Sequence, residues 1–292
     1  AKIPVEIEVR RFDQRFAGAT ADSLPILKKD FPLLFPKQTP DSVWVNKMTD
    51  TIQLELNKEV AAAFPNLEDL KSELKSFFQH VKYYFPKTEI PGVVTLTSNV
   101  DYRNSVLWGN GLLLIALDTY LGKDHHFYLG IQQYFRKNFE PEQILPDVSV
   151  EFAETLLKRP TSRVFLDHMI YYGKILYLKD ILIPFKTDAQ KIGYTREELK
   201  WAQANEEQIW RYLVEKELLF ASNPDLYRRF LLPGPFTKFY LRLDHESPDR
   251  LGRYMAWQIV RQYMKNTDVG VAEMLKTDAK KIFDKSNYKP RK

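Results

Sequence analysis

Histidine and carboxylate side chains are the groups in this sequence best suited to bind a metal or to transfer protons. Zinc hydrolases commonly place two histidines four residues apart on one helix, with a glutamate beside the first. No two histidines here have that spacing, and the adjacent pair His125–His126 would point its side chains in different directions from a helix. The spacing therefore predicts no zinc site of that kind. The five histidines are His80, His125, His126, His168 and His245.

Two glutamates and one histidine are candidates for a cleft between helices. Glu151 and Glu154 lie three residues apart, on one side of a predicted helix at 141–157. Paired carboxylates can act as general acid and base, although this spacing is more typical of a solvated helix face. His168 lies on the flank of a predicted helix at 161–182, where a histidine with a local hydrogen-bond partner is the ordinary interpretation.

Glu206 is the fourth candidate, because it falls within an apolar stripe of a predicted helix at 195–221. A carboxylate in such a position should be paired, or its pKa should be raised. An internal ion pair with an arginine is the ordinary explanation, and a general acid is the alternative. The stripe consists of Leu199, Ala202, Ile209, Leu213 and Phe220.

The composition excludes several classes of catalysis. The chain has no cysteine, which excludes thiol catalysis, disulfides and cysteine-ligated zinc. It contains neither a G-x-S-x-G nucleophile motif nor a Walker loop nor a dinucleotide-binding fingerprint. We therefore assign no catalytic residue, no metal ligand and no cofactor, and we expect no small-molecule substrate.

Positive charge is concentrated at the C-terminus. The net charge is +5, and residues 276–292 hold seven basic and two acidic residues. The rest of the chain has 36 basic and 36 acidic residues, which argues against nucleic acid as a partner. The basic segment is either a solvated helix end or a contact for an acidic membrane surface or partner.

The hydrophobic pattern predicts an α+β fold, mostly helical, in a single domain over 1–292. A small antiparallel sheet is expected at about 5–9 and 93–117, with a hairpin turn at Gly109–Asn110–Gly111. Caps are expected at Asn66, at Thr195 with Glu198, and at Ser247. The predicted helices are 42–64, 66–85, 125–138, 141–157, 161–182, 195–221, 248–265 and 271–285.

Several blocks of sequence, in order along the chain, resemble the gliding-motility-associated lipoprotein GldB family. The most specific is SPDRLGRYMAWQIVRQYM at 247–264, which includes Gly252, Trp257 and Gln258. The resemblance extends from about Val5 to the C-terminus. The other blocks are FFQHVKYYFP at 77–86, ALDTYLGKDH at 116–125, MIYYGK at 169–174, GYT at 193–195, NEEQIW at 205–210 and YKPRK at 288–292.

This resemblance implies a non-enzymatic envelope lipoprotein of Bacteroidetes that acts through protein partners in gliding and the associated secretion machinery. The start Ala1–Lys2–Ile3–Pro4 looks processed. The resemblance further implies a signal peptide and a lipid-bearing cysteine upstream, anchoring in the outer membrane, and a periplasmic location. No transmembrane helix is expected, because the longest aliphatic run is only the six residues 112–117.

The family is also similar to zincin-like metallopeptidases, which implies a degenerate zincin-like fold. Their HExxH motif would fall near 147–157, where this chain has Glu151 and Glu154 without the histidines. The alternative function is therefore a divergent metallopeptidase that uses Glu151, Glu154 and His168.

The block at 247–264, which we call the signature helix, also has an interpretation from packing alone. Gly252 and Ala256 are four residues apart and make a smooth face that would let another helix approach closely. The indole N–H of Trp257 needs a partner when buried, which Gln258 or a backbone carbonyl could supply.

Overall fold

The computed structural model describes residues 3–242 and 244–291. Ala1 and Lys2 of the predicted processed start, and Lys292 of the basic segment, lie outside these ranges. The described chain consists of two compact units, one formed by 1–79, 87–129 and 139–148 and the other by 80–86, 130–138 and 149–292. The predicted α+β class, with mostly helix and one small sheet, is confirmed. The single-domain assignment stays a prediction.

The described elements comprise four strands and fifteen α-helices, joined by short 3-10 turns. The strands are β1 (Val9–Arg11), β2 (Gly92–Leu96), β3 (Val106–Gly109) and β4 (Leu112–Ala116). The helices are α1 (Phe12–Ala17), α2 (Leu24–Asp30), α3 (Asp41–Thr49), α4 (Thr51–Ala63), α5 (Glu68–Tyr84), α6 (Gln133–Arg136), α7 (Ile144–Leu156), α8 (Phe165–Leu182), α9 (Asp188–Ile192), α10 (Arg196–Ala204), α11 (Glu206–Glu215), α12 (Asp225–Phe230), α13 (Leu251–Asn266), α14 (Val271–Lys276) and α15 (Ala279–Ser286).

The sheet lies in the first unit and is mixed, so the predicted antiparallel arrangement is wrong. Its strand order is β1-β2-β4-β3, with β1–β2 and β2–β4 parallel and only β3–β4 antiparallel. The N-terminal strand is also shorter and later than the predicted 5–9. Five helices separate β1 from β2, a crossover long enough to return the chain in the same direction.

A buried carboxylate shapes the loop that carries the chain from β2 to the outer edge of the sheet. Asp118 accepts hydrogen bonds from the backbone N–H groups of Ser98 (2.9 Å) and Val100 (2.7 Å). These bonds fix Asn99 and Val100 in the left-handed region, with φ of 59° and 58°. Burial raises the pKa of Asp118, and the amide hydrogen bonds oppose that rise. Because the loop moves β3 outward, β4 returns between β2 and β3.

The predicted hairpin turn is confirmed. Asn110 and Gly111 join β3 to β4 with φ of 51° and 73°. Two consecutive positive φ values define a type I′ turn, whose twist matches that of the flanking strands.

An aromatic cluster in the first unit packs on the sheet through Val94. Residues 12–35 fold into short helices and turns. The buried members are Phe12, Phe16, Leu24, Leu27, Phe31, Phe35 and Met48.

Four predicted helices are wrong or interrupted. The helix at 42–64 is divided at Asp50, whose side chain accepts the N–H of Gln53 (2.8 Å) and caps α4. The helix at 271–285 is divided at Thr277 and Asp278.

The helix at 125–138 is replaced by a 3-10 turn, His126–Tyr128, and the short α6, because Gly130 has a φ of 91°. The helix at 195–221 breaks at Asn205, whose side chain donates a hydrogen bond to the carbonyl of Trp201 (2.9 Å). The Thr195–Glu198 capping box that begins α10 is confirmed.

The start of the signature helix also differs from the prediction. Arg250 is left-handed with a φ of 56°, and α13 begins at Leu251. Ser247 does not cap it. The hydroxyl of Thr237 accepts the N–H of Leu251 (3.2 Å), so the cap comes from a loop that is distant in sequence. Asn66 does accept the N–H of Glu68 (3.2 Å) at the start of α5, as predicted.

The second unit is built on the contact between α8 and α13. Gly173 of α8 lies so close to α13 that a Cβ atom there would be 2.6 Å from the carbonyl oxygen of Ala256. The predicted close approach at Ala256 is thus confirmed, and the residue that permits it is Gly173. None of the described helices is long and apolar enough to cross a membrane.

Replacing Gly173 with alanine tests this contact. In an ordinary helix interior the change would stabilise the protein by about 0.5–1 kcal/mol. Here the added methyl group meets backbone, so we expect a loss of about 1–3 kcal/mol in the free energy of unfolding, measured by urea denaturation. Gly270→Ala is the control, because a Cβ at Gly270 meets nothing within 4 Å. A Gly173→Ala protein more stable than the parent would contradict the close crossing.

Candidate functional site

The carboxylates of α7 take part in a partly exposed cluster. Glu154 accepts hydrogen bonds from Arg159 (3.0 and 3.1 Å) and from the hydroxyl of Tyr171 (3.2 Å). Glu151 lies one turn earlier and is half-buried. Across 3–242 and 244–291, no three histidine, aspartate or glutamate side chains form a group that could hold a metal ion. The structure therefore does not join Glu151, Glu154 and His168 in a ligand set.

His168 has the local partner that its position predicts. Its Nε2 lies 2.8 Å from the carbonyl oxygen of Ser162, and its ring meets the ring of Tyr227 edge-on at 5.4 Å. The imidazole therefore joins the loop 157–164 to α12.

Glu206 is buried, with 1% of its surface exposed, and its partners differ from the predicted arginine side chain. It accepts hydrogen bonds from the hydroxyls of Tyr254 (2.6 Å) and Tyr288 (2.7 Å) and from the backbone N–H of Arg291 (3.0 Å). Burial and the Glu206 carboxylate raise the pKa of both tyrosines. Glu206 also begins α11, where the helix dipole favours a negative charge. The carboxylate therefore anchors the C-terminal segment.

Trp257 of the signature helix donates to a carboxylate, whereas Gln258 or a carbonyl was the predicted partner. Its Nε1 lies 2.8 Å from Asp180 Oδ2. Arg261 makes a bidentate contact with Asp180 (2.7 and 2.7 Å) and covers the Trp257 ring at 3.7 Å. Burial opposes ionisation of Asp188, but hydrogen bonds from Arg261 lower its pKa. This network holds α13 to α8 and α9.

Gly252 permits α12 to lie against the start of the signature helix. A Cβ atom at Gly252 would be 2.9 Å from the carbonyl oxygen of Phe230. The next residue, Arg253, donates to the Leu231 carbonyl and lies 3.8 Å above the ring of Tyr172. Burial lowers the pKa of Arg253 to about 10. The signature helix therefore fixes the position of α12.

A cleft of about 580 Å³ opens beside α12. Phe165, His168, Pro224 and Tyr227 line it, and the exposed Arg163 lies at its edge. The hydroxyls of Tyr227 and Tyr172 share a hydrogen bond of 2.6 Å, which links the cleft wall to the residue under Arg253. A largely apolar cleft with a few fixed polar groups is typical of a binding site.

An exposed aromatic residue in a strained conformation lies beyond α12. Tyr240 has a φ of 64° and is 69% exposed, and the neighbouring Leu241 is 59% exposed. Asp244 accepts both of their backbone N–H groups (2.8 and 3.1 Å). The Tyr240 hydroxyl donates to Asp225 of α12 (3.1 Å), and the Arg229 guanidinium lies 4.2 Å above the ring. Backbone strain of this kind is concentrated at functional sites.

The cleft and the tip Tyr240–Leu241 together form what we call the α12 surface. Sequence reasoning identified His168 but missed the tip. The available signal was the length of the connection, since nearly twenty residues with no helical pattern separate α12 from α13.

The model of one protein family, described as "Gliding motility protein GldB", matches residues 1–290. The chain belongs to the GldB family. No curated protein and no solved structure matches it. The resemblance found in the sequence is thus confirmed over nearly the whole chain, and the GldB signature helix is the one that positions α12.

This GldB-family chain has a second cleft, of about 570 Å³, on the other side of the loop 157–164. Lys174 lies in its wall, and its Nζ donates to the carbonyls of Leu275 (3.0 Å) and Thr277 (2.7 Å). Burial lowers the pKa of Lys174 to about 8, and the nearby Asp278 offsets only part of this effect. Lys174 therefore links α8 to the end of α14 and to the connection that follows it. Burial disfavours the positive charge of its amine.

This lowered pKa predicts a pH dependence. Above pH 8 the folded amine loses its proton, whereas the unfolded amine keeps it up to its ordinary pKa of 10.5. The unfolded state then binds more protons, so stability should rise with pH. Between about pH 7 and pH 9.5, the free energy of unfolding of the parent should rise, relative to that of Lys174→Met, by up to about 2 kcal/mol.

Urea denaturation at several pH values measures this difference. Lys276→Met, at an exposed lysine of the same cleft, is the control for simple loss of charge. If the free energies of unfolding of Lys174→Met and of the parent differ by the same amount at every pH, the lowered pKa of Lys174 is contradicted.

Proposed function

We propose that this GldB-family chain is a non-catalytic component of the gliding machinery and its associated secretion system, and that it binds a protein partner through the α12 surface. The observation that carries the proposal is the strained, exposed Tyr240 beside the apolar cleft. Tyrosine and arginine are enriched among the residues that dominate protein–protein binding energies. Asp244, Asp225 and Arg229 hold the tip in advance, so little conformational entropy would be lost on binding.

The absence of catalysis in this proposal is supported by how the candidate side chains are used. Glu206 accepts three hydrogen bonds from the protein itself. Glu154 is engaged by Arg159 and Tyr171, and His168 by the Ser162 carbonyl. A general acid or base must reach the proton it transfers, which these internal contacts disfavour.

The partner we propose has an apolar side chain that enters the cleft and a carboxylate beside it. Phe165, Pro224 and Tyr227 supply the apolar wall, and the exposed Arg163 supplies a cation at its edge. Tyr240, whose hydroxyl donates to Asp225 next to the cleft residue Pro224, would add an aromatic contact beside the cleft.

The proposal includes a lipid anchor in the outer membrane and a periplasmic location. The label of the matching family model describes a lipoprotein, which supports this assignment. Metabolic labelling with a radioactive fatty acid tests it. The protein made from its complete gene should carry the label, and replacing the cysteine expected upstream of Ala1 with serine should remove it. An unlabelled protein would contradict the anchor.

Tyr240→Gly is the sharpest test of the α12 surface. Glycine adopts positive φ without a steric penalty, which offsets the lost contacts with Asp225 and Arg229, so the variant should fold with a free energy of unfolding within about 1 kcal/mol of the parent's. It should nevertheless fail to restore gliding in a strain that lacks the chromosomal gene. Colony spreading measures gliding, and immunoblotting confirms equal protein levels.

Two sets of variants complete this experiment. Phe185→Ala removes a comparably exposed aromatic side chain elsewhere in the second unit and should restore gliding. Glu151→Gln and Glu154→Gln should also restore it, because the proposed function needs no carboxylate chemistry. Normal gliding with Tyr240→Gly would contradict the α12 surface. Loss of gliding with either glutamine variant would favour the divergent metallopeptidase instead.

A further inference from the structure

The C-terminal segment 276–291 presents a dense array of cations. Its two acidic residues are Asp278, which caps α15 by accepting the N–H of Lys281 (2.7 Å), and Asp284, which pairs with Lys280 (2.6 Å). Among the described residues of the segment, Lys280 is the one basic side chain in an ion pair. The exposed basic residues are Lys276, Lys280, Lys281, Lys285, Lys289 and Arg291.

This array is held rigidly. Ile282 is fully buried, and the Phe283 ring lies 6.1 Å from that of Trp210 and 5.9 Å from that of Phe220. Beyond α15, Glu206 accepts hydrogen bonds from Tyr288 and from the backbone of Arg291. A solvated helix end needs no such anchor, so the buried carboxylate serves to fix where the charges lie.

A second segment, far away in sequence, extends the same charge. Lys158 of the loop 157–164 and Lys276 line the same cleft of about 570 Å³. The loop also carries Arg163 and Arg159, of which Arg159 pairs with Glu154, and it contains no acidic residue itself, although Asp167 and Asp278 line the cleft. The cationic face therefore continues from α15 across the edge of this cleft.

The chemistry of this face selects among its possible partners. The exposed side chains of 276–291 are polar or charged, and Phe220, an exposed ring that contacts α15, packs edge-on against Phe283 at 5.9 Å. A protein interface would require apolar anchors, and single-stranded nucleic acid would require exposed aromatic rings for base stacking. A flat array of lipid phosphates requires only positive charge.

We propose that the cationic face, formed by 276–291 and the loop 157–164, is an electrostatic docking surface for a bilayer of anionic phospholipids. The apolar side of α15 is already used in the core, so the helix lies against the headgroups and does not insert between the acyl chains. Binding without insertion depends on Coulomb attraction alone, and it should be screened by salt. This proposal does not depend on gliding, and although the face shares Arg163 with the α12 surface, the residues that test it lie in α15, outside that surface.

Co-sedimentation of the purified chain with large vesicles tests the proposal. The chain should bind vesicles of phosphatidylcholine mixed with phosphatidylglycerol and should not bind phosphatidylcholine alone. The double variant Lys281→Glu and Lys285→Glu should bind the mixed vesicles at least about tenfold more weakly. Raising the salt concentration to about 0.5 M should release the parent.

The matched control is Lys200→Glu with Lys216→Glu, which changes the net charge equally at exposed positions of α10 and the turn after α11. It should retain binding. Circular dichroism confirms that all variants are folded. The double variant Lys281→Gln and Lys285→Gln repeats the test by removing the two charges without reversing them. Equal binding of the α15 variants and the parent would overturn the proposal. So would salt-resistant binding, or binding to short duplex DNA in the absence of vesicle binding.

Discussion

The close crossing of α8 and α13 at Gly173 is the constraint on which the rest of the second unit depends. With the backbone of α13 directly against α8, polar side chains on both helices are forced into the interior. Buried polar groups must be hydrogen-bonded, and several of these side chains find a partner across the crossing or on a neighbouring element. Trp257 and Arg261 donate to Asp180, and Lys174 donates to the carbonyl of Leu275 near the end of α14. A larger residue at position 173 would push α8 and α13 apart and would separate all of these pairs at once.

The same crossing accounts for both surfaces to which we assign binding. Toward the start of α13, Gly252 and Arg253 fix α12 and through it the cleft and the tip. The next residue, Tyr254, donates its hydroxyl hydrogen to Glu206, which holds the cationic segment in place. The helix α13 is therefore a scaffold, and the two proposed surfaces lie outside it.

Local features of the sequence predicted local structure well. The Asn110–Gly111 turn and the Thr195 capping box depend on neighbouring residues only, and both are confirmed. Features that depend on distant partners were missed. The sheet polarity follows from a crossover of five helices and from Asp118, and the start of α13 is capped by Thr237 from another loop. Periodicity in a sequence contains no information about such partners.

The candidate site shows the same division in its chemistry. Sequence reasoning correctly singled out Glu206 as a carboxylate on an apolar stripe, but spacing cannot tell an arginine partner from two tyrosine hydroxyls that lie 48 and 82 residues away. Three neutral donors occupy both oxygens of the carboxylate, and this internal use disfavours proton exchange with a substrate. A buried acid that is satisfied in this way anchors structure, whereas Tyr240 has a strained backbone and an exposed ring that the fold itself does not require. Function is therefore better sought at an exposed side chain that the fold holds in place, as Asp244 holds Tyr240, than at a carboxylate whose hydrogen bonds are all internal.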